Sequence, residues 1–235
     1  MRVDVIYRKS PAEMSEVEEG TIQMVLALLP SPEKGQNLQN YLSGLDAVMV
    51  SCTRALTKGG RLAIIIPTTI RRLEPSSPAL MTGMILGKGL SMRGEIIWNK
   101  GTGAMPSSWG GWVSPSNPAL WDIHEHILVF SKDSLRLEPR IPGSRPDISS
   151  VEFLEWSRSV WGVPYDGTSL PREIPKRLIK LYTYPGDIIL DPFAGTGTIA
   201  AVASALDRHY IGYENDPEAY KRASGKLRGI QKGLF

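Results

Sequence analysis

Residues 188–198, Ile188-Ile189-Leu190-Asp191-Pro192-Phe193-Ala194-Gly195-Thr196-Gly197-Thr198, limit most tightly what this chain can fold into. An apolar run delivers Asp191 to a glycine-rich bend, and a helix-forming stretch, Ile199 to Leu206, follows at once. A strand, a tight turn and a helix N-terminus in that order are how open α/β sheets build a nucleotide-type cofactor site at the carboxyl end of a strand. Gly195 and Gly197 let backbone approach a ligand where a Cβ would collide. The N–H groups left free at the helix start attract negative charge.

The glycine spacing narrows the ligand. A dinucleotide favours G-x-G-x-x-G, and a triphosphate favours a lysine directly after the glycines. Here the pattern is Gly195-x-Gly197 and stops, with Thr198 in the lysine position. The loop suits a weaker anionic group, such as an amino-acid carboxylate. A second strand-like run, His209 to Tyr213, ends in Glu214. An acid at the end of the next strand, roughly 20 residues on, is placed to hold ribose hydroxyls. Asp191 and Glu214 together fit S-adenosylmethionine. The competing reading makes Asp191 a helix cap and Glu214 a solvated loop acid.

The rest of the chain reads as alternating strands and helices. Val3 to Tyr7 is a short strand, and Thr21 to Leu29 is a continuous apolar run too short for a typical helix, hence a buried strand. Apolar residues at Leu38, Tyr41, Leu42, Leu45, Val48, Met49, Cys52, Ala55 and Leu56 recur at helical spacing, closed by Gly59-Gly60. Leu62 to Ile66 is a buried strand stopped by Pro67, and Ala79 to Leu90 a glycine-interrupted helix. Glu95–Trp98 and Glu125–Phe130 read as strands and antiparallel neighbours. Such alternation argues an α/β, doubly wound sheet, made mixed by the later strands. At 235 residues, 42% hydrophobic and 22% charged, the chain fits one domain over 1–235. Irregular insertions fall at about 101–118 and 131–150. The first holds Trp109 and Trp112, able to stack on a base or to anchor the loop, with anchoring favoured for Trp112. The second holds Arg136, Arg140 and Arg145 and is either a small DNA-reading insertion or a surface linker.

Some classes are excluded. No run of about 18 apolar residues marks a membrane span, and Met1-Arg2-Val3-Asp4 lacks a signal-peptide core, so a cytoplasmic protein is expected. The lone Cys52 has no disulfide or zinc partner and reads as a buried hydrophobe. His124 and His126 share a strand face, and a structural role is favoured over a metal site. Net charge is only +3, yet residues 54–100 hold eight basic side chains against two acidic ones, while residues 1–46 hold four against seven. This asymmetry suits a polyanionic partner as well as it suits ordinary solvated faces.

Asp191-Pro192-Phe193-Ala194-Gly195-Thr196-Gly197-Thr198 closely resembles the cofactor motif of the DNA amino-methyltransferases, which methylate cytosine N4 or adenine N6. Further stretches match in the order of the permuted group, whose cofactor motif lies near the C-terminus. They are Gly59-Gly60-Arg61-Leu62 with Ala63 to Ile66, His124 to Lys132, Ser159 to Pro164, and Pro171 to Tyr182 with Pro185-Gly186-Asp187. The resemblance spans nearly the whole chain except about Asp133 to Ser157. It implies the seven-stranded, Rossmann-like methyltransferase fold, S-adenosylmethionine as cofactor, DNA as partner with RNA as an alternative, a place in restriction-modification, and dimers as a known state. The cofactor residues it implies are Asp191, Phe193, Ala194, Gly195, Thr196, Gly197 and Glu214. Candidate nucleic-acid contacts are Arg71, Arg72, Lys100 and Trp109, and no metal is expected.

The chain departs from the family where the target base should be held. An exocyclic amine is a poor nucleophile, because its lone pair is delocalised into the ring; acceptors must be aimed at its hydrogens, and a flipped base is gripped by stacking. The family supplies both in a [S/D/N]-P-P-[Y/F] loop after a buried strand. Here that loop is Leu28-Leu29-Pro30-Ser31, without the side-chain acceptor or the ring. Leu29, Pro30 and Ser31 are the candidate catalytic residues, through the Leu29 carbonyl and the Ser31 hydroxyl; a shifted register would use Ser31 to Lys34. Two more departures are Arg8-Lys9-Ser10, where the family has an aspartate after its first strand, and Thr168-Ser169-Leu170 before Pro171. The expectations are a working methyltransferase with altered acceptors, or a paralogue that binds S-adenosylmethionine or nucleic acid without catalysis.

Overall fold

The computed structural model describes residues 1–101, 111–167 and 169–231, and the side chains of residues 71–73, 230 and 231 lie outside that description. Two strands near the middle of the sheet explain the layering. β2 (Ile22–Leu28) sends Met24 and Leu26 into one apolar layer and Val25 and Ala27 into the other. β3 (Leu56–Ile66) alternates likewise, with Ala63 and Ile65 on one side and Leu62, Ile64 and Ile66 on the other. Strands apolar on both faces must be covered on both, as in doubly wound folds.

The first layer is closed by α5 (Glu173–Tyr182), α6 (Thr198–Ala205) and α7 (Pro217–Gln231). The second is closed by α1 (Leu38–Ala55), α2 (Thr68–Leu73) and α3 (Ser77–Leu86). α1 buries Tyr41, Leu45, Val48, Met49 and Cys52 along one stripe, as its spacing predicts, and Asn37 caps it by accepting the Asn40 N–H at 2.9 Å.

Beside β2 and β3 stand β1 (Val5–Tyr7), β4 (Leu90–Asn99), β5 (His124–Lys132), β6 (Val160–Gly162), β7 (Ile188–Asp191) and β8 (His209–Tyr213). They pair in the order β1-β8-β7-β2-β3-β5-β4-β6. Every pairing is parallel except those of β5, which runs antiparallel to β3 and β4. The α/β, mixed and doubly wound expectation therefore describes this sheet, with eight strands in place of seven. The added strand is β6, three residues laid on β4 through Ile97↔Val160 and Trp98↔Trp161. It forms where Trp161 buries against the sheet and donates its indole N–H to the Trp156 carbonyl of α4 (Ser150–Trp156) at 3.0 Å.

Three local expectations are corrected. Gly59-Gly60 does not end α1: the helix passes straight into β3, and the glycines sit within that strand where its register against β2 slips. Gly59 holds φ +75°, and a Cβ there would collide with the Arg136 carbonyl. The helix expected at Ala79 to Leu90 is Ser77–Leu86, and Leu90 already begins β4. Trp112 is 69% exposed and so does not anchor its loop to the core.

The segment 133–149, within the second expected insertion, is tied to the body of the protein. Arg140 donates its backbone N–H to Asp187 at 3.0 Å and its guanidinium to the Gly186 carbonyl at 2.9 Å, and Asp147 pairs with Arg208. These contacts strap it under the start of β7, at the end of the strand opposite Asp191. Cys52 is buried, as its surroundings in sequence suggest. Among the described residues no helix is long and apolar enough to cross a membrane, and no cluster of three or more His, Cys, Asp or Glu forms a metal site. The His126 Nδ1 lies against Glu95 at 2.5 Å.

Candidate cofactor and target-base site

β7 and β2 are hydrogen-bonded parallel neighbours whose onward crossovers diverge. β7 continues through α6 to β8 on one side, and β2 through α1 to β3 on the other. At such a switch point a crevice opens outside the carboxyl ends of the strands. A cavity of about 480 Å³ lies there, within the roughly 300–1,000 Å³ of small-molecule sites. Its walls include Leu28 to Ser31 at and just beyond the end of β2, Phe193 and Gly195 after β7, and Glu214 after β8. The two motifs singled out in the sequence, far apart along the chain, face one cavity.

The two glycines of the bend serve different ends. Gly197, φ +74°, is the N-cap of α6, and a Cβ on it would stand 3.0 Å from the Ala223 Cβ of α7. Gly195 also has positive φ, +51°, but the nearest atom to a Cβ there is the Phe193 carbonyl oxygen at 3.9 Å. The space beside Gly195 stays open toward the cavity.

Glu214 is not a solvated loop acid. Its Oε2 accepts the Gly195 N–H and its Oε1 the Asp216 N–H, both at 2.8 Å. Nor does Asp191 cap α6, since Gly197 occupies that position. Asp191 is 2% exposed; Oδ1 accepts the Phe193 N–H at 3.1 Å and Oδ2 is buried without a partner among the described residues. Burial pushes its carboxyl up to about 7, the charge of Glu214 adds to the rise, and the Phe193 N–H opposes it. Asp191 thus stands behind the bend, while Phe193, Gly195 and Glu214 form the wall. Ala194 is buried and ties the bend to β8 by donating its N–H to the Tyr213 carbonyl at 2.9 Å. The Thr196 hydroxyl lies 3.4 Å from that of Thr198.

On the β2 side the loop is held from behind. Leu29 donates its N–H to the Ile65 carbonyl at 3.0 Å and buries its side chain in the second layer. The Pro30 carbonyl accepts the Tyr41 hydroxyl at 2.9 Å, and the Ser31 hydroxyl stands 2.9 Å from that of Thr69. Leu28 packs against the first layer and lines the cavity.

A third wall is absent from the sequence-based reading. Thr68, Trp98, Lys100, Glu125 and Tyr165 close the cavity on the side of β4 and β5. Lys100 donates to Glu125 Oε1 at 3.1 Å and to the Thr68 hydroxyl at 2.6 Å. The sequence suggests a phosphate contact for Lys100; its side chain, 14% exposed, is instead spent on this ion pair inside the cavity. One signal could have found the wall: Glu125 is an acid inside an apolar strand, and the strand expected opposite it ends in Trp98, its direct pairing partner. Arg71 and Arg72 belong to α2, whose first residues, Thr68 and Thr69, line the cavity. Trp109 lies outside the described residues, as does Thr168, while Leu170 reaches the cavity. At the Arg8-Lys9-Ser10 departure, Lys9 pairs with Glu16, which also accepts the hydroxyl of the cavity residue Tyr213 at 3.1 Å. The Lys9 hydrogen bond holds the Glu16 carboxyl below its usual range.

The family model described as DNA methylase, for N6 and N4 methyltransferases, matches residues 29–225. The chain belongs to the DNA methylase family. Among DNA methylase relatives, the type II methyltransferase M.MthZI of Methanothermobacter thermautotrophicus is 26% identical over 90% of this chain and 72% of its own length. M.XycI of Xanthomonas campestris pv. cyanopsidis is 34% identical over 63% of this chain and 48% of its own length. The chain spans 42% to 56% of the length of M.XycI and of three further type II methyltransferases that it matches. Two solved DNA methylase structures share the fold. TTHA0409 of Thermus thermophilus, complexed with S-adenosyl-L-methionine, aligns with a TM-score of 0.80 at 23% identity, over 98% of this chain and 96% of its own. The cytosine-N4-specific PvuII DNA methyltransferase aligns with a TM-score of 0.71 at 17% identity, over 97% and 89%.

Proposed function

We propose that this chain transfers a methyl group from S-adenosylmethionine to the exocyclic amine of a DNA base, cytosine N4 or adenine N6. The observation that carries this reading is the single cavity walled by the glycine bend, Glu214 and the Leu28–Ser31 loop. The residues present fit the cofactor. Gly195 leaves room where any side chain would intrude, the Glu214 carboxylate edges the cavity at the end of the second strand, and Phe193 offers an apolar face. When bound, S-adenosylmethionine supplies an electrophilic methyl on a sulfonium sulfur. Glu214 would hold its ribose hydroxyls, and the N-terminal end of α6 would favour its amino-acid carboxylate.

On the target side, the Leu29 carbonyl accepts one amine hydrogen. The Ser31 hydroxyl, 2.9 Å from that of Thr69, keeps a lone pair for another. Localising the amine's electrons in this way and holding nitrogen and methyl in near-attack geometry are the two tasks the walls perform. Arg71 and Arg72, on the helix whose first residues line the cavity, are the proposed phosphate contacts, which position DNA without specifying sequence. Association as a homodimer belongs to the same proposal.

Calorimetry with S-adenosylmethionine and tritium transfer to genomic DNA test it together. Expected are saturable binding and label in DNA; no binding at millimolar cofactor sinks the reading. A second reading, binding without transfer, is favoured by Leu28, which presents an apolar side chain where the family places an acceptor. Intact binding with no label in DNA or in total RNA would select it, and label in RNA alone would move the substrate to RNA.

A further inference from the structure

The catalytic loop has no side-chain acceptor at its first position, Leu28, yet the wall facing it holds one. Glu125 is 6% exposed and lines the cavity. It lies on β5 one residue before His126, the register partner of Ile66 at the end of β3. It therefore stands level with the carboxyl ends of β3 and β2, two strand spacings, or roughly 10 Å, across from Leu29. We propose that Glu125 supplies the acceptor that Leu28 does not: its carboxylate takes a hydrogen bond from the target amine and then its proton. The proposal rests on the methyl-transfer reading above.

The local contacts favour this role. Taking a carboxylate out of water is costly, and Lys100 at 3.1 Å and the Thr68 hydroxyl at 3.4 Å offset that cost. Among the described residues every hydrogen bond to Glu125 falls on Oε1, which leaves Oε2 for a ligand. Lys100 is itself fixed, by Thr68 at 2.6 Å and by lying 5.8 Å from the centroid of the Tyr165 ring. That ring meets Trp98 edge-on, with centroids 5.8 Å apart, and both line the cavity. A buried ion pair is a weak source of stability; one placed with a free oxygen at a ligand cavity is suited to recognition. In the transfer, the amine lone pair forms the N–C bond. The bond from that methyl to the sulfonium sulfur breaks, its electron pair stays on sulfur as a thioether, and the cationic nitrogen releases one proton to Glu125.

The test pairs amino nucleosides with their keto counterparts. With the cofactor end saturated by S-adenosylhomocysteine, which has no methyl to give, ligand-detected NMR compares deoxycytidine with deoxyuridine and deoxyadenosine with deoxyinosine. The wild type is expected to prefer one amino nucleoside over its keto partner. Glu125→Gln is expected to lose that preference, keep S-adenosylhomocysteine affinity within about 2-fold, and lower methyl incorporation by about 100-fold, the scale of one lost transition-state contact. Should Glu125→Gln fail to fold, the double variant Glu125→Leu/Lys100→Met removes the pair without orphaning a charge and is expected to lose the preference as well. A preference unchanged in either variant, or absent from the wild type, overturns the proposal while leaving the methyl-transfer reading standing. Failure of the wild type to bind S-adenosylhomocysteine overturns that reading, and the proposal with it.

Discussion

The carboxylate of Glu214, at the end of β8, accepts the backbone N–H of Gly195, 19 residues before it, at 2.8 Å. The acid and the bend that the sequence marks as a pair are thus one hydrogen-bonded unit, and Glu214 orders the bend as well as edging the cavity. Glu214→Ala should therefore lose both a charge-assisted bond and a ligand contact. S-adenosylmethionine affinity is expected to fall by roughly 10- to 100-fold, about 1.4–2.8 kcal/mol, with the fold retained by circular dichroism. Equal affinity in variant and wild type would move the cofactor elsewhere.

Gly195 and Gly197 are both left-handed, and their alanine variants should fail differently. At Gly197 the added Cβ meets Ala223 at 3.0 Å, so conformational strain and a clash with α7 add. Urea unfolding of Gly197→Ala should show a loss of about 2–3 kcal/mol. At Gly195 a Cβ finds nothing nearer than 3.9 Å, and the fold should lose only about 1 kcal/mol. The ligand space is what that methyl fills. Gly195→Ala should therefore lower cofactor affinity more than stability, measured by calorimetry and urea titration on the same preparation.

The sequence shows the halves of this site that depend on backbone chemistry. Asp191 to Thr198 reads as a strand, bend and helix because glycine spacing and apolar runs carry direct conformational meaning, and the acid at Glu214 follows from the length of one crossover. On the wall of Thr68, Lys100, Glu125 and Tyr165 it gives one signal alone, the acid at Glu125 within an apolar strand, because strand pairing and chain crossings bring that wall together. Lys100 illustrates the limit. A lysine in a basic stretch reads as a surface cation, and only the β4–β5 register shows that Glu125 claims it. Gly59-Gly60 misleads for a related reason: glycines after a helical repeat read as a stop signal, whereas Gly59 answers to the Arg136 carbonyl pressing from a distant segment.

Arg208 offers a control remote from the cavity. Its side chain is fully buried and binds Asp147 at 2.6 and 2.8 Å, the Thr183 carbonyl at 2.7 Å and the Leu206 carbonyl at 2.7 Å. Arg208→Met leaves Asp147 and two carbonyls without a donor. Removing one partner of a buried pair costs about 3–5 kcal/mol, and the partial exposure of Asp147 places this case near 3. Urea unfolding should show that loss, while cofactor affinity of the folded variant stays within about 2-fold. A large affinity change would mean the strap under β7 reaches the bend.

Asp191 makes stability depend on pH in the direction opposite to most carboxylates. Its folded value near 7 lies above the ordinary 3.8 because burial disfavours the charge. Below about pH 4 the carboxyl is neutral in both states and the group costs nothing. Between about 4 and 7 the folded state holds a proton that the unfolded state has released, so stability falls as pH rises, by up to roughly 4 kcal/mol, and levels off above 7. Asp191→Asn removes the titration and keeps an amide oxygen for the Phe193 N–H that Oδ1 now accepts at 3.1 Å. Unfolding free energies between pH 4 and 8 should decline more steeply for the wild type than for Asp191→Asn, the gap opening through this window. Parallel profiles would show that the Asp191 charge is solvated or paired in the folded protein, and that the unpartnered Oδ2 behind the bend carries no electrostatic strain.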